Sequence, residues 1–189
     1  MFAFKFDKAL QAAAVLLRRA SAQQMTYLRL LKVLYIADRE SIRQSGCPIT
    51  GARVKAMKYG PVLSEVFDLI HGEHLRSPDW SACIQKNDYD VRLVRSRDPG
   101  VAALCRFEID LLNRVADEHR SRGDWELVEY THDFPEWIKN APENAPGESK
   151  ANLIPLHDIL EAVGRLDDKA DIEENARVDQ VFARLFGGA

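Results

Sequence analysis

One carboxylate sits among apolar side chains. From about Thr26 to Ser45, Tyr27, Leu30, Leu31, Leu34, Tyr35 and Ile42 share one broad face at about 100° per residue, and Asp38 projects into its middle. Taking an ionised carboxyl out of water costs several kcal/mol unless donors surround it, so its partners must lie close. The expected donors are backbone N–H groups of a helix beginning near Pro61, the hydroxyl of Tyr59, or His132. A sealed arrangement is a structural network. One open to solvent, with Asp38, Tyr59 and His132 converging, is a pocket for acid–base chemistry.

The remaining candidate groups point to little chemistry. Tyr59-Gly60-Pro61-Val62 is a punctuated junction without the glycine spacing or the Lys-Ser/Thr of a phosphate loop. His71 and His74 are separated by Gly72, which fits a helix end better than a metal site. His132 stands five residues before Trp137, the spacing of a half-buried histidine beside an aromatic ring. No serine or cysteine near it sits in a nucleophile motif. Cys47, Cys83 and Cys105 are too few for a disulfide framework, and Cys105 reads as helix packing. Neither a metal nor a cofactor is expected. Arg29, Lys32, Arg39 and Arg43 form a basic stripe on the same helix as Asp38, and Arg53, Lys55 and Lys58 follow it. Arg29, Arg39, Arg43, Arg53, Lys55 and Lys58 are the candidates for holding a partner. Nucleic acid is the weaker choice for that partner, because the sequence pI is about 6.0 and no helix-turn-helix, zinc or RNA-binding signature is present.

The elements that must position these residues follow from the pattern. Phe2, Phe4 and Phe6 alternate ahead of a first helix capped by Asp7. The helix carrying Asp38 stops at Gly46. Arg53 to Tyr59 alternates as a short strand, and Pro61 suits the first turn of a helix over 62–71. Residues 82–85 and 89–94 read as two strands around a turn at 86–88, with Tyr89, Val91 and Leu93 facing a core. A long helix ends near Arg122, Asp124 caps a shorter one reaching His132, and 135–139 adds one more turn. Residues 140–152 read as a linker, followed by amphipathic pieces at 156–163 and 172–186, the second striped by Val178, Val181, Phe182 and Leu185. Gly187 and Gly188 are expected to fray. The fold class is α+β: a mostly helical single domain with a small antiparallel hairpin or sheet over 1–140, then an acidic helical extension over 141–189.

With 189 residues the chain can bury a core without staples, and its balance of 46% hydrophobic and 29% charged residues argues against disorder. The longest apolar run, Ala12 to Leu17, is far too short to span a bilayer, and no signal peptide is legible, so a cytoplasmic location is expected. The net charge of −3 conceals a gradient: +8 over residues 1–60, −3 over 61–125 and −8 over 126–189. Such a chain either folds its acidic end over its basic end or offers two patches to partners.

Four segments in order carry a resemblance: Leu30 to Arg39, Gly46 to Gly51, Met57 to Val62, and Thr131-His132 with Trp137. Over about residues 7–139 the chain resembles the Panacea domain, the SocA-like antitoxin family, departing from its usual aliphatics only at Val33 and Ile36. The resemblance implies a compact, mostly helical domain with a small sheet. It also implies a role in a bacterial or phage toxin–antitoxin pair, neutralising a cognate toxin, generally encoded beside it, by direct protein contact. One member of the family is an adaptor that delivers its toxin to a ClpXP-type protease, and that is the first alternative. A nucleic-acid-binding regulator and an enzyme with an Asp/Tyr/His pocket are the others. The resemblance makes Lys32, Tyr35, Asp38, Tyr59, Gly60, Pro61, Thr131, His132 and Trp137 members of one motif set, expected to form a polar cluster rather than a catalytic centre.

Overall fold

The protein is described from a computed structural model covering residues 2–144 and 151–186. Its elements are α1 (Phe6–Arg19), β1 (Gln24–Thr26), α2 (Tyr27–Ser45), β2 (Val54–Met57), β3 (Gly60–Leu63), α3 (Ser64–His71), α4 (Ser77–Cys83), β4 (Ile84–Asn87), β5 (Asp90–Leu93), α5 (Arg106–Glu118), α6 (Asp124–His132), α7 (Pro135–Asn140), β6 (Ala151–Leu153), α8 (Leu156–Ala162) and α9 (Lys169–Phe186). The described residues therefore form a mostly helical α+β domain with two small antiparallel sheets, ordered β1-β5-β4 and β3-β2-β6.

The central element is α2. Thr26 caps it by accepting the N–H of Arg29 at 3.1 Å, and Gly46 ends it at φ 77° with its N–H on the carbonyl of Ile42. It packs against α1, α5, α6 and β3. Leu30, Leu31, Leu34, Tyr35 and Ile42 on its apolar face join α1, the inner faces of both sheets and α5 in one core. The chain enters extended, its Lys5 N–H on the carbonyl of Thr50, with Phe2 and Phe6 buried.

Several boundaries differ from the sequence reading. Lys5, not Asp7, precedes α1, and Asp7 lies in its first turn. Gly60-Pro61-Val62-Leu63 is a strand, so Pro61 opens no helix; α3 starts at Ser64. Pairing explains this, since Ala56 opposite Pro61 and Val54 opposite Leu63 bury that strand completely. The second hairpin turns at Asp88-Tyr89, with Asp88 at φ 54°, which leaves Tyr89 exposed while Val91 and Leu93 face the core. Residues 77–83 form α4 with Pro78 in its first turn. Cys105 is exposed and precedes α5, its N–H held by Glu108 at 2.8 Å; Gly123 precedes α6 and is held likewise by Glu126. The predicted linker contains β6, which extends the sheet of β2, although 145–150 lie outside the described residues. The glycines at 187 and 188 lie outside them too. The C-terminal extension returns to the domain: α8 packs on α7 and α2, Ile172 of α9 lies against Gly46, and Asp179 accepts the N–H of Ala3 at 3.1 Å.

Candidate functional site

The expected single polar cluster is divided into three neighbourhoods around α2. In the first, Asp38 is buried, and its donors belong to the loop after α2. The N–H groups of Ile49 and Thr50 both lie 3.0 Å from Oδ1, and the Thr50 hydroxyl donates to Oδ2. Burial pushes its carboxyl up to about 6, although those donors pull the other way. The loop can approach because Gly51 has φ 67°; a Cβ there would lie 2.0 Å from the carbonyl oxygen of Ala3.

In the second, one turn of α2 earlier, the Tyr35 hydroxyl donates to Glu136 Oε1 at 2.7 Å. Arg39 Nε donates to the same oxygen at 2.6 Å, with its guanidinium 4.3 Å above the Phe134 ring. Burial and the Glu136 carboxylate hold the Tyr35 phenol well above its ordinary range, so it remains a donor. Glu136 is fully buried, and it is not among the residues the sequence singles out. Its only signal was a carboxylate in the first turn of a short helix, beside the buried Trp137.

The third neighbourhood gathers the other motif residues. Lys32 is fully buried and donates to the carbonyl of Pro61 at 2.8 Å. Gly60, at φ 93°, leaves room for it: a Cβ there would lie 2.7 Å from Thr131 Oγ1 and 2.8 Å from Lys32 Nζ. His132 stacks on Trp137 at 3.9 Å between ring centroids, and the Trp137 indole donates to the carbonyl of Met57 at 3.1 Å. Burial alone lowers the Lys32 ammonium to about 7, and burial with the nearby Lys32 charge lowers His132.

Asp38, Tyr59 and His132 therefore do not converge. Tyr59 lies at the β2–β3 turn, 47% exposed, its ring edge-on to Trp125 at 5.5 Å. It borders a groove of about 1170 Å³ whose walls include Leu28, Leu31, Met57, Val62 and Phe67.

The basic residues also part company. Arg29 donates to the carbonyls of His119 and Arg122 at 2.7 and 2.6 Å, capping α5. Arg39 is held by Glu136, Arg53 by Glu65 at 2.6 Å and Arg43 by Glu40. Lys55 and Lys58 have no ion-pair partner among the described residues. The one group of potential metal ligands among them, His157, Asp158 and Glu161, already has a cation: Lys139 lies 2.7 Å from Asp158 and 3.2 Å from Glu161.

A family model matches residues 30–138, more than half of the chain and the stretch that contains all three neighbourhoods; its description is antitoxin SocA-like, Panacea domain. The chain belongs to the SocA-like antitoxin family. Neither a curated protein nor a solved structure matches it. The Panacea match starts at Leu30, inside α2, and ends at Ile138, inside α7, so α1 is part of the core but not of the match.

Proposed function

We propose that this protein is a non-enzymatic antitoxin that neutralises a cognate toxin, encoded by an adjacent gene, through direct protein–protein contact. Residues 1–140 form the binding module and 141–189 an extension packed against it. Family membership carries the antitoxin-type role. The reading of direct contact is favoured by one observation: the motif residues Lys32, Tyr35, Asp38 and Trp137 are spent on internal hydrogen bonds, whereas Tyr59 and other large aromatics remain exposed around a groove. Arginines with internal acceptors also make a poor phosphate-binding surface, which counts against nucleic acid as the partner. No helix among the described residues is long and apolar enough to cross a membrane.

Co-expression with the product of the adjacent reading frame tests the proposal. Growth rescue together with co-purification of the two proteins is the expected result, and absence of both sinks it. The same experiment in a host lacking ClpXP separates the adaptor alternative, since an adaptor cannot rescue without the protease.

A further inference from the structure

Both hairpins end in two-residue tips that carry a tyrosine, and both tyrosines line the same groove. The β2–β3 tip is Lys58-Tyr59 and the β4–β5 tip is Asp88-Tyr89. Tyr59 meets Trp125 edge-on, and Tyr89 stacks on Tyr27 at 6.2 Å. Trp125 is 62% and Tyr89 67% exposed. Each pair carries a lysine, with Lys58 Nζ 5.4 Å from the Tyr59 ring centroid and Lys86 Nζ 5.5 Å from that of Tyr27. Neither lysine has an ion-pair partner among the described residues. The chain thus leaves two aromatic–lysine clamps on the rim of an apolar trough.

We infer that this groove is the toxin-docking site, and that it takes a short toxin segment in which an apolar side chain is flanked by carboxylates. The inference rests on the antitoxin reading above. The apolar side chain enters the trough, and the aromatics give it rigid contact area at small entropic cost. The flanking acids meet Lys58 and Lys86. Of the carboxylates that line the groove, Asp124 is already held by the Thr26 hydroxyl at 2.6 Å and lies 3.6 Å from Arg29. Glu143 has no such cation among the described residues, which favours acids beside the lysines and an uncharged residue beside Glu143.

The groove is tested first with a defined probe on the full chain. The capped tripeptide acetyl-Glu-Phe-Glu-amide is titrated while the Trp125 indole N–H is followed by NMR, its signal identified by its loss in Trp125→Phe. A saturable shift is expected, with affinity lower by about fivefold for acetyl-Lys-Phe-Lys-amide. That preference should reverse in the Lys58→Glu/Lys86→Glu double variant. No saturable shift, or no charge preference, overturns the inference.

The second arm is rescue from the co-expressed toxin. Trp125→Ala and the double charge reversal should abolish it with thermal melting unchanged; rescue that survives both variants removes the groove but not the antitoxin reading. Peptide binding by a wild-type protein that rescues nothing removes the antitoxin reading, and with it the toxin as occupant. A dimer of the free chain that Trp125→Ala dissociates would show that the groove belongs to a second copy, whose α9 exposes Val178, Val181 and Leu185.

Discussion

Asp38 and Lys32 are buried charges of opposite sign on one helix, and pH acts on them in separate windows. The Asp38 carboxyl, near 6 in the folded protein against an ordinary 3.8, binds its proton more tightly than in the unfolded chain. Stability from this group is therefore greatest in acid and falls as pH rises from 4 to 6, by about 3 kcal/mol. Subtracting the urea-melt profile of Asp38→Asn from that of wild type should expose this slope; a flat difference would contradict it. At pH 7 Asp38→Asn should cost about 1 kcal/mol or less, because its amide can still accept the two N–H groups. Asp38→Leu, which orphans them and the Thr50 hydroxyl, should cost about 3 kcal/mol or more. For Lys32 the unfolded chain holds the extra proton between pH 7 and 10.5. Its destabilising effect is full below pH 7 and relieved as pH rises through that window. Lys32→Met should accordingly be about 2 kcal/mol more stable than wild type near pH 6, with the margin shrinking toward pH 10. Chemical denaturation at those two pH values checks it.

At the scale of elements, helices were legible wherever apolar periodicity and a stop signal agreed. Thr26 and Gly46 bracket α2 as the sequence indicates, and α7 lies where Pro135 to Lys139 placed a helical turn. The errors fall where long-range pairing overrides a local signal. Pro61 is an ordinary helix-opening residue by local rules, yet pairing with Ala56 makes it part of a strand. Tyr89 has the parity of Val91 and Leu93 but lies beyond the last paired residue, in the turn. The position of Asp38 on an apolar face calls for donors, but nothing local points to Ile49 and Thr50, because the loop that brings them back is set by Gly51 and Ala3. The glycines give the matching prediction. Gly60→Ala and Gly51→Ala should each lose about 3 kcal/mol or more, combining positive φ with a Cβ that has no space. Gly72→Ala, with nothing within 4 Å of its Cβ, should lose only about 1 kcal/mol to backbone strain. Thermal melts of the three variants should rank in that order.

Over the whole molecule several cations of the basic front join distant parts of the chain. Lys5 pairs with Asp179 at 2.8 Å, Lys8 with Glu108 at 2.6 Å, Arg18 with Asp98 and Arg19 with Asp117. Of the two arrangements the gradient allowed, the acidic end does fold back, though it meets α1 and the end of α2 more than the whole basic face. Removing residues 169–189 should cost on the order of 3 kcal/mol, mostly from uncovering the contacts of Ile172 and Ala176, and leave the rest folded. Far-UV circular dichroism with a denaturant melt measures both. The hairpin tips have a different consequence. Tyr59 and Tyr89 lie outside the strand pairing and mostly outside the core, so these positions can be exchanged without retuning what lies beneath. A scaffold built this way separates inheritance from acquaintance: the buried side chains hold the fold, while side chains at the tips can change without disturbing it.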